Sequence, residues 1–147
     1  MENTKKIILA LFIATLASCN QKDEYTLIKE NLYETTDDQI VMKFLNKNVN
    51  HPSKDNKWKD TIYQSHFRYE SIDSVVPLKD IIDIKAYKII APDTYFEDEN
   101  HIYINAHYEP GENQFKVIKK DSLTFFINKD TLKTISKTYY KGNVITQ

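Results

Sequence analysis

The chain is expected to be mainly β with a minor α component: an antiparallel meander of degenerate strand-turn-strand repeats, preceded by one short N-terminal helix. Three observations lead there. From Thr61 to Glu70 the periodicity is two, with Tyr63, Phe67 and Tyr69 on one face and Gln64, His66, Arg68 and Glu70 on the other. Runs rich in Ile, Tyr, Phe and Thr then follow one another. They are separated by turn chemistry at Glu97 to Asn100, at Glu109 to Asn113 with Pro110 and Gly111, at Asn128 to Asp130, and at Lys141 to Asn143 around Gly142. Finally, the C-terminal half echoes itself at an offset of 28 to 30 residues.

Taken in order, the first element is the helix. Ile40, Val41, Phe44 and Leu45 recur at helical spacing between Asp37 and Lys47, and Thr36 with Gln39 has the form of a capping box. The polar stretch from Asn46 to Lys57 reads as a loop. The strand over Thr61 to Glu70 comes next, and Pro77 and Pro92 belong in connections, where a missing backbone donor costs least. In the repeat, Tyr87-Lys88-Ile89-Ile90 with Asp93 matches Phe115-Lys116-Val117-Ile118 with Asp121, and Thr94-Tyr95-Phe96 matches Thr124-Phe125-Phe126. Thr138 to Val144 is a third echo of the aromatic strand and its polar turn. Stacked strand-turn-strand units sharing one core would look like this, and so would chance similarity among β-rich segments.

Composition removes many functions. The 147 residues include two glycines, 31 positions apart, so a phosphate-binding loop, a dinucleotide fingerprint and a nucleophile elbow are excluded. One cysteine excludes an intramolecular disulfide and a Cys-based zinc site. A net charge of -1 with a single Arg provides no basic stripe, so no nucleic-acid partner is expected.

The N-terminus has three zones: Lys5 and Lys6, an apolar run from Ile7 to Ala17, and a polar stretch after Cys19, the outline of a secretory signal. As a helix the run reaches about 16 Å at ~1.5 Å per residue, against a hydrocarbon core of ~30 Å, too short for a permanent span. Leu16-Ala17-Ser18-Cys19 resembles the bacterial lipobox. That resemblance implies acylation of Cys19, cleavage before it, and attachment to a lipid bilayer; several chains on one Cys make a durable anchor. An ordinary signal peptide with an incidental Cys is the other reading. Gln21, Lys22, Asp23 and Glu24 are similar to the export signal of Bacteroidota surface lipoproteins, or else form a solvated charged tether. The expected organisation is a signal peptide at 1–18, a lipidated tether and entry segment at 19–36, and a single β-rich domain at 37–147 whose repeat-like half spans 74–145.

The repeat carries a second resemblance. Tyr95-Phe96-Glu97-Asp98-Glu99-Asn100-His101-Ile102-Tyr103 resembles the strand signature of the DKNYY family of small bacterial lipoproteins and secreted proteins. Asp83, Ala86, Tyr87 and Ile90 are similar to its companion element, in which Asp83 caps a helical turn while Tyr87 and Ile90 pack beneath it. Glu99 stands where the family has Lys, and the second copy reads Asn128-Lys129-Asp130. The family implies no known activity.

Candidate chemistry is sparse. His101, Tyr103, Asn105 and His107 share a strand face, but six residues at ~3.3 Å put the histidines about 20 Å apart, beyond a shared metal's reach. Asp93, Glu97, Asp98, Glu99 and Asn100 could offer oxygen ligands to calcium, yet the EF-hand pattern fails for want of its Gly, and a solvated acidic turn is favoured. No catalytic residue, metal or cofactor is therefore expected. Ten Tyr and seven Phe should mostly fill the core, and any surplus on an outer face would make a protein-binding surface. The expected protein is a lipid-anchored outer-membrane lipoprotein at the cell surface, or on the periplasmic leaflet, acting as a non-catalytic binding module for an unknown protein or envelope ligand. The alternative is an immunity or inhibitor lipoprotein that neutralises an envelope toxin.

Overall fold

The computed structural model describes residues 24–45, 61–106, 109 and 113–146. The leader, Cys19, Gln21, Lys22 and Asp23, the loop expected at 46–57, Trp58, His107 and Gly111 lie outside the described residues, whereas Glu24 is exposed ahead of the first strand.

The described residues are mostly β, in three sheets. The first runs β1 (Thr26–Lys29), β2 (Leu32–Glu34), β3 (Ile40–Leu45), β4 (Thr61–Gln64) as an antiparallel meander. The central sheet is built from β5 (His66–Tyr69), β6 (Ser74–Pro77), β7 (Lys88–Ala91), β8 (Tyr95–Glu97), β9 (His101–Asn105) and β10 (Phe115–Lys119), in the order β6-β5-β10-β9-β8-β7. The third, β11 (Phe125–Asn128), β12 (Thr131–Lys133), β13 (Thr138–Tyr140) and β14 (Asn143–Thr146), is again a meander. All neighbours are antiparallel except β5 and β10, which pair in parallel with Arg68 opposite Lys116 and Tyr69 opposite Val117. Three of the expected turns join β8 to β9, β11 to β12, and β13 to β14, while most of the turn expected at Glu109 to Asn113 lies outside the described residues.

Both faces of the central sheet are covered. Phe67, Phe96, Tyr103, Phe115 and Val117 pack against Leu32, Met42 and Phe44 of the first sheet. From the opposite face Tyr95, Ile102 and Ile104 pack against Leu132 and Tyr139 of the third. Double-sided burial explains why β8 and β9 read as nearly continuous apolar runs. The rings interlock edge-on: Phe44 meets Phe96 at 5.4 Å and Phe67 meets Tyr103 at 5.5 Å between centroids.

Several expectations need correction. Where a helix is expected over Asp37 to Lys47, Ile40–Leu45 form strand β3, with Met42 and Phe44 in the core. Two β-branched residues and a pairing partner on either side outweigh a short helical period. The Thr36 and Gln39 capping box is a hairpin turn in which the Thr35 N–H donates to the Gln39 carbonyl at 3.0 Å and Asp38 adopts φ 59. The single strand over Thr61 to Glu70 breaks at Ser65, whose carbonyl accepts from the Leu78 N–H at 2.6 Å, so β4 and β5 belong to different sheets. Pro77 ends β6, an outer strand, where no ladder donor is required. A 3-10 turn at Leu78–Asp80 follows it.

The repeat survives as local form only. Its first copy is the β7-β8 hairpin, while its second runs from β10 of the central sheet into β11 of the third. Asp83 does cap a turn, accepting from the Lys85 N–H at 2.9 Å and the Ala86 N–H at 3.3 Å. Tyr87 and Ile90, however, enter opposite cores instead of packing together.

Left-handed backbone is assigned in an unusual way for so glycine-poor a chain. Glu30, Asp38, Asp73, Asp93 and Lys141 all have positive φ, between 48 and 61. Asp tolerates this region because its short carboxylate can bond to nearby backbone. Gly142, at φ 82, is where a side chain is excluded outright, since a Cβ would stand 2.5 Å from the Asn105 carbonyl oxygen of β9.

Candidate functional site

The acidic turn between β8 and β9, expected to be solvated, keeps Glu99 and Asn100 exposed but buries its first two carboxylates. Glu97 is 8% and Asp98 2% exposed. Asp98 lies beneath the segment that links the 3-10 turn to β7. Its carboxylate accepts from the N–H groups of Asp83 at 2.9 Å, Asn100 at 2.8 Å and His101 at 2.7 Å, and from the Tyr103 hydroxyl at 2.6 Å. Burial pushes this carboxyl up, but those four donors more than reverse the effect and hold it below its ordinary value of 3.8. Glu97 bridges Lys88 at 2.8 Å and Lys120 at 2.9 Å. For it too, burial raises and the two ammonium groups lower, with a net fall below 4.5.

This has a pH consequence. Both carboxyls bind protons less readily folded than unfolded, so their stabilisation is fully present above the unfolded carboxylate range and fades as pH falls through their lowered native values. The protein is expected to lose stability on acidification below about pH 4, and replacing Glu97 with Gln should flatten that loss in acid urea titrations. An unchanged acid limb in that variant contradicts the assignment.

The aromatic interior is tied to polar partners in the same way. Tyr87 donates to Asn31 at 2.6 Å, and Tyr139 donates to Glu70. The Tyr95 hydroxyl accepts from the Gly142 N–H at 2.9 Å. Burial raises the phenols of Tyr87, Tyr103 and Tyr139 far above the ordinary range. Tyr95 is pushed up to about 12 by burial, opposed by the Gly142 N–H. The Tyr69 hydroxyl lies 2.7 Å from His101 Nε2, and His101 Nδ1 is 3.5 Å from Asp98. At physiological pH these phenols are protonated donors, which suits them to locking the sheets together. Among the described residues no group of three or more His, Cys, Asp or Glu is placed to hold a metal ion.

Two surfaces among the described residues are candidates for a ligand. A groove of about 470 Å³ lies between the central and third sheets, lined by Glu70, Ser71, Lys119, Lys120, Ser136 and Lys137, with Ile118 and the exposed Ile135 as its apolar side chains. Much of its charge is engaged internally: Lys137 pairs with Glu70 at 2.9 Å, and Lys120 with Glu97 and the Asp98 carbonyl. The other surface is the outer face of the first sheet. Phe44 and Ile62 point inward, so their neighbours Lys43 and Tyr63 point outward. Tyr25 stacks on Tyr63 at 3.8 Å with rings 6° apart, Tyr33 meets Tyr63 edge-on at 5.7 Å, and Lys43 stands over Tyr33 at 5.5 Å. Tyr63 was expected on the same face as Phe67 and Tyr69. The break at Ser65 separates them, placing Tyr63 outside and Phe67 in the core. The alternation of Tyr33 with buried Leu32, and of Lys43 with Met42 and Phe44, is the signal that could have revealed this face.

Together these features define a small all-β protein of three packed sheets, with a hydrogen-bonded phenol and carboxylate interior and aromatic side chains left on outer faces. No family model matches the chain, and no solved structure gives a significant match. The chain is similar to the protein translocase subunit SecA of two strains of Ureaplasma parvum serovar 3, with 30% identity over 135 residues in each case. The similarity covers 91% of this chain, which spans 15% of the length of those curated relatives. Among the described residues no helix is long and apolar enough to cross a membrane.

Proposed function

We propose that this protein is a DKNYY-like lipoprotein, held to the outer membrane through acylated Cys19 and displayed at the cell surface, where it binds a protein or envelope ligand without catalysis. The observation that carries the binding role is the tyrosine cluster of Tyr25, Tyr33 and Tyr63 on the outer face of the first sheet. Rings needed for the core are already supplied by Phe44, Phe67, Phe96 and Tyr103, and flat aromatic area with polar tips outside the core is what recognition surfaces use. The buried carboxylates support the non-catalytic reading, because their acceptor capacity is taken up by structural donors. Tyr25 directly follows Glu24 of the proposed export signal, so the cluster adjoins the tether.

The anchor is tested by fatty-acid labelling in cells. Label on the wild type and none on Cys19→Ala is expected, and label that persists in the variant overturns acylation there. Protection of the protein from external protease on intact cells would contradict surface display. For binding, a membrane-impermeant crosslinker applied to intact cells should yield an adduct that Tyr33→Ala and Tyr63→Ala abolish together. An adduct indifferent to both tyrosines removes this face from the proposal. A recovered toxin favours the immunity reading over the general binder.

A further inference from the structure

We infer that the outer face of the first sheet rests on the bilayer that holds Cys19, so that the ligand of the tyrosine cluster is the lipid surface itself; this rests on the proposed anchor and on the proposed binding role of that face. Strand registers fix what the face presents. Leu27 lies opposite Tyr33 and Lys43 opposite Tyr63, and Tyr25 joins them by stacking on Tyr63. Leu45 continues the alternation beyond Lys43. Leu27 is 58%, Leu45 48% and Tyr25 36% exposed, whereas Val41, opposite Tyr33, is buried. The rings and the two leucines therefore form the outermost layer. No carboxylate is among these residues, although acidic side chains outnumber basic ones in the chain as a whole. Leucine, tyrosine with its polar tip, and a lysine held over a ring are a composition suited to the headgroup boundary of a membrane.

Chain length selects this face over the other apolar one. Tyr25 follows Cys19 by six residues, at most about 22 Å of extended chain. So short a link makes contact with the bilayer an intramolecular event, for which a modest apolar area suffices. The other candidate is the outer face of the third sheet, where Phe125, Tyr140 and Ile145 are exposed. The central sheet stands between the two. At ~10 Å per layer, that face lies about 20 Å across the molecule from the first sheet, turned away from the tether.

The test uses the acylated chain purified from cells and reconstituted into vesicles of phosphatidylethanolamine and phosphatidylglycerol, some carrying brominated acyl chains. With Cys19 acylated, Leu27→Cys and Ile145→Cys each offer one thiol for an environment-sensitive fluorophore, at exposed positions that leave folding, checked by circular dichroism, unchanged. The label at position 27 is expected to shift to the blue and lose most of its emission in brominated vesicles, while the label at position 145 keeps both its colour and its intensity. Adding Tyr33→Ala and Tyr63→Ala should abolish the response at position 27 while the chain still floats with the vesicles. Equal quenching at the two positions, or stronger quenching at position 145, in a chain shown by mass to be acylated overturns the inference and leaves the anchor standing. So does a response at position 27 that survives loss of both tyrosines. A chain recovered without acyl groups overturns the anchor and this inference together.

Discussion

Asp98→Ala is expected to lower stability by about 4 kcal/mol, because it removes the buried common acceptor of four donors at once. Asp98 receives N–H groups from Asp83, Asn100 and His101 and a hydroxyl from Tyr103, and it is 2% exposed. The truncated site leaves that hydroxyl and three amides facing a small void. Water can recover part of the loss, which keeps the figure below the sum of four separate penalties. Against a total stability of about 5–15 kcal/mol for a domain of ordinary size, the change is large. Asp98→Asn is expected to cost about half as much: one amide oxygen remains to accept, but the NH₂ group opposes donors on the other side. Urea unfolding followed by fluorescence provides the measurement. A midpoint for Asp98→Ala within about 1 kcal/mol of wild type would refute the role given to this carboxylate.

Gly142→Ala is expected to cost about 3 kcal/mol, for two reasons that act together. At φ 82 an L side chain is strained, and the new Cβ would lie 2.5 Å from the Asn105 carbonyl oxygen, which belongs to the central sheet and has little room to retreat. The Gly142 N–H also donates to the Tyr95 hydroxyl at 2.9 Å, so a displaced turn loses that bond as well. The neighbouring residue provides the contrast. Lys141 has φ 48, and Lys141→Gly should stay within about 1 kcal/mol of wild type, since relief of backbone strain offsets greater freedom in the unfolded chain. Equal tolerance of both changes would show that the turn does not dock on β9 as described.

These residues also show where sequence reading ends. Gly142 was legible as a turn glycine because Lys-Gly-Asn between apolar runs has a local cause. Its second role, allowing two backbones to touch, depends on a residue far away in the chain. The β character, the antiparallel hairpins and the turns at Glu97 to Asn100, Asn128 to Asp130 and Lys141 to Asn143 were legible for the same local reason. Turns at Glu30, Asp38 and Asp73 were missed because acidic residues occupy left-handed positions where glycine would have announced them. The helix at Asp37 to Lys47 failed because Ile40, Val41, Phe44 and Leu45 fit a helical face as well as a strand that is paired on both sides. At the acidic turn, composition pointed to water, while the structure surrounds Asp98 with donors from Asp83 and Tyr103 that no pattern within the turn encodes. Tyr63 shares the alternation of Phe67 and Tyr69 in sequence, but the break at Ser65 reverses which face is inside and leaves Tyr63 out of the core.

The parallel pairing of β5 with β10 sets an order of events as the chain is made. The first sheet consists of consecutive strands and can assemble as soon as β4 exists. The β5-β6 hairpin that follows has no neighbour until β10, so the edge of β5 stays open while the intervening strands emerge. Non-local closures of this type slow folding and prolong exposure to wrong partners. Refolding should therefore show its slow step at β10, with early protection of backbone amides in β2 and β3 and late protection in β5.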